Sequence, residues 1–293
     1  MMNHAYGYAA LTFLLLGISP VSQAELEPIS EVAMGEVTGQ AFMNIENIAG
    51  DGVDYTRMTL GIDVETRVNI DDIQVGQIDG GTDFSAQHLA LGHIARAGGE
   101  TFNGVSYNEG DAIPFEARKP YIELAEDSAG LKGFRMGFAE ARGSVSSHTT
   151  SFSGALPGLK IRDDDGSVYD TALYAGAGNT ETDYRATHVG LKIEGAESNS
   201  CAVDLTCAAL TNLRSVIVGE DTGVDDGSVA FTDAFFIGFQ RDEMDWKSLD
   251  SANTINAGKG VFINLPVNMI VDRDVLVGAG VERLRTHVGD GLF

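Results

Sequence analysis

Apolar and polar residues alternate with period two over long stretches of this chain. From Met58 to Ile70 the apolar residues Met58, Leu60, Ile62, Val64, Val68 and Ile70 share one parity, and Thr59, Asp63, Glu65, Arg67 and Asn69 hold the other. Successive side chains of a strand point to opposite faces, so the pattern predicts an amphipathic strand with one face toward a core. Asp71-Asp72 breaks the phase, and Ile73 and Val75 resume on the other parity. The alternation returns from Val229 to Phe239, through Phe231, Phe235 and Ile237, and from Val261 to Val271, through Ile263, Leu265, Val267 and Met269. Pro266 inside the last run predicts an edge strand or a bulge, because proline cannot donate to a ladder. Shorter strands are predicted at 41–48, 87–94, 121–125, 132–141, 186–194, 213–218 and 275–282. The expected fold class is all-β, with long amphipathic strands in a sandwich or open-barrel arrangement.

A second pattern lies within the first. An apolar residue, any residue, an apolar residue and glycine recur in Met58-Thr-Leu-Gly61, Ile73-Gln-Val-Gly76, Leu89-Ala-Leu-Gly92, Phe134-Arg-Met-Gly137, Phe235-Phe-Ile-Gly238 and Val275-Leu-Val-Gly278, and in part at His188-Val-Gly190. Glycine weakens a strand unless backbone or a bulky neighbour packs against it, so the recurrence implies close approach of strands or sheets. A β-solenoid built on this unit is the alternative architecture. Turn chemistry separates the runs, as in Asp163-Asp-Asp-Gly166 and Ala175-Gly-Ala-Gly178. No linker divides the chain, and one β domain is expected over 41–293, with an irregular insertion near 195–228.

The amino-terminal residues change the setting. Ala9 to Ile18 is an apolar block broken by Ser19-Pro20, and Ser22-Gln-Ala24 places small residues where signal peptidase reads. Residues 1–24 are therefore expected to be a signal peptide cut before Glu25, with no lipid-accepting Cys at the cut. A short helical lead is expected over 25–40, with Pro28 in its first turn and Gly39 at its stop. No later apolar run reaches the length of a transmembrane helix.

Composition narrows the partners. The 43 acidic residues exceed the 19 basic ones, for a formal charge of −24. Such a surface repels nucleic acid and anionic lipid. Cys201 and Cys207 are the cysteines, and in an exported chain their spacing predicts a disulfide.

Motifs for catalysis are missing: the chain has no G-x-S-x-G, no H-E-x-x-H and no P-loop. No catalytic or cofactor-binding residue is assigned, and the chain is expected not to be an enzyme. Calcium is the one cofactor kept open, because hard cations take carboxylate and carbonyl oxygens in acidic loops. The candidate ligands are Asp163, Asp165, Asp221 and Asp225.

The stretch from Glu27 to Phe42 contains Glu36-Val-Thr-Gly-Gln40. It resembles the opening of a group of secreted γ-proteobacterial proteins, some labelled pilus-assembly proteins of the Fil type. In that group an acidic, helix-like lead runs through Val-Thr-Gly-Gln into β structure. Pro28 and Met34-Gly35 depart from the usual form, where Leu-Ser is expected. The resemblance implies a Gram-negative envelope or surface protein, and it carries no catalytic residues. The expected function is thus a non-enzymatic structural or adhesive protein of the cell surface or an extracellular filament. Its partners would be other envelope or filament proteins, including copies of itself. The alternatives are a secreted calcium- or glycan-binding β module and an outer-membrane β-barrel, the latter suggested by the terminal Phe293.

Overall fold

A computed structural model describes residues 42–50, 52–193, 199–203, 205–224 and 227–287. The expected signal peptide and helical lead lie outside these residues. The chain opens with β1 (Met43–Ile48), β2 (Asp54–Leu60) and β3 (Asp63–Thr66), then the hairpin β4 (Val68–Ile78) and β5 (Gly81–Leu91). Short pieces follow: β6 (His93–Ile94), β7 (Glu100–Phe102), β8 (Val105–Tyr107) and β9 (Ala112–Ile113). Two long strands come next, β10 (Phe115–Asp127) and β11 (Gly130–Phe152), and then β12 (Gly154–Ala155). A second group comprises β13 (Leu159–Arg162), β14 (Val168–Tyr174), β15 (His188–Lys192) and β16 (Cys207–Ala209). A 3-10 turn (Leu210–Asn212) leads into β17 (Ser215–Val218), β18 (Glu220–Asp221), β19 (Val229–Ala230) and β20 (Phe236–Gln240). The last elements are β21 (Met244–Lys247), β22 (Thr254–Ala257), β23 (Gly260–Asn264), β24 (Met269–Asp272) and the single-turn helix α1 (Arg273–Val277).

The fold is all-β, as the alternation predicted, and its ladders are antiparallel apart from β12–β23 and β13–β24. A stack of parallel coils, which the solenoid alternative requires, is not what the described strands form. The large sheet runs β1-β2-β10-β11-β20-β23-β12, with β5 and β17 on the second half of β11 and β4 on β5. β12 lies two residues beyond β11, so the sheet curls until its end returns to its own central strand. This makes a half-barrel. Gly143 (φ 139°) sits at the change of partners on β11, with the Phe115 ring where a Cβ would be. Gly154 (φ 148°) makes the closure, because a Cβ there would lie 1.9 Å from the Ile263 carbonyl oxygen. A second sheet, β16-β15-β14-β13-β24, packs Leu159, Ile161, Val189 and Val271 into the main core.

Three expected strands are divided. The Met58–Ile70 run becomes β2, β3 and β4, because β2 and β3 follow β10 in turn and β4 then leaves for β5. The extra residue between β2 and β3 is a bulge opposite Lys119, whose φ is 50°. The Val229–Phe239 run is broken between β19 and β20. The Val261–Val271 run is broken at Pro266, where the chain passes from the large sheet to the second one. The strand expected at 275–282 is a correction: Arg273–Val277 forms one helical turn, closed by the Gly278 N–H donating to the Asp274 carbonyl at 3.0 Å. Leu276 is buried and Val275 exposed, and an apolar run this short suits either geometry. Within 195–228, β16, the 3-10 turn and β17 are integral to the two sheets.

The outer face of the large sheet carries a ladder of alternating charge. Glu46, Arg57, Glu123 and Arg135 are successive cross-strand partners on β1, β2, β10 and β11. Glu123 is fully buried and accepts from Arg57 Nε at 2.6 Å and from Arg135 Nε at 2.9 Å. The β21–β22 hairpin covers them, accepting from Arg135 at the Lys247 carbonyl (2.5 Å) and laying Trp246 beside the guanidinium. Gly238, the cross-strand partner of Arg135, leaves room for the Trp246 indole, and Gly137 leaves room for Tyr121. These two glycines of the recurrent pattern thus serve close packing. Removing one charge of such a buried set leaves the others uncompensated. We expect Glu123→Gln to lower unfolding free energy by about 3–5 kcal/mol, whereas Arg57→Met/Glu123→Leu/Arg135→Met stays close to the parent in chemical denaturation. Gly154→Ala should cost ~2–5 kcal/mol, against roughly 1 kcal/mol for Gly166→Ala, whose positive φ faces open space.

Candidate functional site

The inner face of the half-barrel is continuous and apolar. In one cross-strand row it reads Ile45, Met58, Ile122, Met136, Ile237 and Ile263, crossing from β1 to β23. The parities apolar in the sequence are the parities that face inward here. On β4 and β5 the facing changes phase at Asp71–Asp72, opposite His88, whose φ is 52°. Ile70 precedes this change and Ile73 and Val75 follow it, yet all three line the interior.

Within the curl lies a cavity of about 370 Å³. Its walls are Ile73, Val75 and Phe84 from β4 and β5, Val145 and Phe152 from β11, Val216 from β17, and Ile237, Phe239, Val261 and Ile263 from β20 and β23. The polar side chains lining it among the described residues are Ser147 and Thr149, whose hydroxyls bond each other at 2.8 Å. Asp83 fastens one side: its Oδ2 accepts from the Val261 N–H at 2.9 Å and its Oδ1 from Arg185 Nε at 2.8 Å, tying β5 to β23. The exposed lining residues are Ile70 and Met136. From Met136 a second hollow of about 400 Å³ continues over Met58, Leu60, Ile122 and Phe138. Ile122 is 47% exposed and Ile45 56%. An apolar void of about 370 Å³, if sealed and empty, would cost roughly 9 kcal/mol at the slope measured for core cavities. Water gains little there, because it needs two to four polar partners.

The edge strand β1 adjoins this face. Among the described residues it pairs with β2 alone. The Phe42 carbonyl accepts from the Gly61 N–H at 2.7 Å, so even-numbered residues turn their backbone groups to β2. Met43, Ile45 and Asn47 therefore point their N–H and C=O outward. The other long edge, β4, is blunted by Asp71 and Asp72, as edges usually are.

The candidate calcium ligands do not gather. Asp163 lies 2.6 Å from Arg273 Nη1, and Asp164 pairs with the same guanidinium. Asp165 accepts from the Ser167 N–H at 2.8 Å, which holds its carboxyl below the ordinary value. Asp221 accepts from the Gly223 N–H at 2.8 Å in a separate turn. Asp225 lies outside the described residues. Among the described residues no three His, Cys, Asp or Glu side chains converge as a metal site would require. Cys201 and Cys207 form the expected disulfide, with Cα atoms 5.4 Å apart, against Ala172 and Tyr174.

One arrangement went unseen in the sequence. His93 Nδ1 lies 2.8 Å from Ser144 Oγ, and its Nε2 is 3.5 Å from a Glu100 oxygen. This is the order of a nucleophile, base and orienting acid. Ser144 is only 1% exposed, however, inside the ladder between β11 and β17, where no substrate carbonyl can reach its hydroxyl. The sequence signal is weak because Ser144 lies 51 residues beyond His93.

No family model, curated protein or solved structure matches this chain. The fold and site define its class directly: an all-β protein with a curled half-barrel, an apolar interior and, among the described residues, an edge strand paired on one side.

Burial lowers the His93 pKa below its ordinary 6.5, with Glu100 opposing more weakly. The unfolded chain then binds the extra proton first, so acidification from about pH 6.5 destabilises the fold until the folded-state pKa is passed. Replacing His93 by Gln should make the stability-versus-pH slope shallower just below pH 6.5, as read by urea denaturation at a series of pH values.

Proposed function

We propose that this chain is an exported, non-enzymatic structural or adhesive protein of a Gram-negative cell surface or extracellular filament, joined to its assembly by strand addition at β1. The observation that carries the reading is the outward-facing backbone of Met43, Ile45 and Asn47 beside exposed apolar side chains. An added strand satisfies these groups by main-chain hydrogen bonds, while its alternate side chains extend the apolar face. The charge of −24 opposes a second copy and favours a neutral or basic partner. The expected occupant is an extended segment of another envelope protein, apolar at alternate positions with basic residues between. The resemblance at Glu36–Gln40 and the signal-like residues 1–24 support placement outside the cytoplasm.

The test uses the mature chain and a synthetic peptide alternating Ile and Lys, at physiological salt. The alternating peptide should bind, while a scrambled peptide of the same composition and a second copy of the chain should not. Ile45→Pro removes an outward N–H that β2 does not use, so it should weaken binding by about tenfold or more with under ~1 kcal/mol lost in stability. Equal binding by Ile45→Pro, or retention of the tagged protein in the cytoplasm on cell fractionation, refutes the proposal.

A further inference from the structure

We infer that the half-barrel interior is a binding site for one hydrocarbon chain, an acyl or comparable lipid tail. This goes beyond strand addition at β1 and rests on a different part of the molecule. The cavity's chemistry selects the ligand. Its two lining hydroxyls, Ser147 and Thr149, bond each other at 2.8 Å, and no other polar side chain lines it among the described residues, so the walls hold no charged partner for a headgroup. No charged side chain lines it among the described residues. A ligand must therefore be apolar along all of its inserted length, with any polar end left outside.

Size points the same way. An engineered lysozyme core takes up benzene in a void of ~150 Å³. By that measure the 370 Å³ here accommodates about fifteen carbons. The opening is placed for a chain: Ile70 and Met136 are its exposed lining residues, and beyond Met136 the apolar surface continues over Met58 and Ile122. A tail longer than the interior can follow this surface without crossing a charged residue. The Asp83 contacts with Val261 and Arg185 hold the walls together, so the site is formed before the ligand arrives.

Titration of the mature chain with the neutral fluorophore N-phenyl-1-naphthylamine should give saturable binding at one site per chain and a raised melting temperature, since a ligand of the native state stabilises it. Dodecanol and dodecanoate then compete as separate arms. Displacement by both assigns the site to the hydrocarbon tail, and displacement by dodecanoate alone overturns that assignment in favour of a carboxylate site. Val145→Phe fills the interior and should weaken binding by about tenfold or more, the usual effect of bulk in an apolar pocket. A diazirine-bearing fatty acid provides a measurement that needs no variant. Crosslinks on β4, β5, β11 or β20 support the inference, and labelling confined to β1 and β2 refutes it, as does the absence of saturable binding. Ile45→Pro should bind the fluorophore normally, so this inference and strand addition fail independently.

Discussion

The structure depends on one strand being shared by two walls. β11 pairs with β10 and β20 along its first half and with β5 and β17 along its second. Its continuation, β12, then closes on β23. A strand of 23 residues cannot do this as a straight ribbon. It must turn where its partners change, and Gly143 and Gly154 supply backbone geometries and close approaches that side chains would block. Hydrophobic burial follows from this covalent continuity: the curl brings the apolar parity of β20 and β23 opposite that of β4 and β5. The interior is therefore a product of topology as much as of composition.

The two faces of the sheet solve different problems. Inside, nearly every side chain is apolar and the packing is incomplete. Outside, the Arg57–Glu123–Arg135 ladder is desolvated under the β21–β22 hairpin, with Trp246 and Tyr121 against the guanidinium planes. Burying these charges is expensive unless each meets its partner. Cross-strand register places them directly opposite one another, so a one-residue slip of β2 or β11 would separate the pairs and turn their apolar neighbours outward. The ladder thus favours a single register, which in turn fixes the inner face.

The all-β class was legible because alternation is a local signal, and the inner-facing residues of β2, β4, β20 and β23 were all on the parity that it marked. The breaks were less legible. Nothing near Leu60 states that β2 will end in a bulge opposite Lys119, since that depends on a strand some sixty residues later. The recurrent glycine had several causes: close packing at Gly137 and Gly238, positive φ at Gly76 and Gly92, and a helix end at Gly278. Such mixed origins make a repeat in letters without a repeat in space. At the turn after β13, Asp163 and Asp164 meet Arg273, which follows the neighbouring strand β24 and lies more than a hundred residues on, so no local pattern announces the pairing. The cavity was invisible for a related reason: alternation reports which way a side chain points, and says nothing of how far the opposite wall stands.

The unequal treatment of the two long edges has a stoichiometric consequence. Head-to-tail growth of a polymer requires two complementary surfaces on each subunit. This chain offers β1 for pairing and guards β4 with Asp71 and Asp72. Among the described residues these two edges together present one accepting surface, which is the arrangement of a terminus, a tip or an anchor.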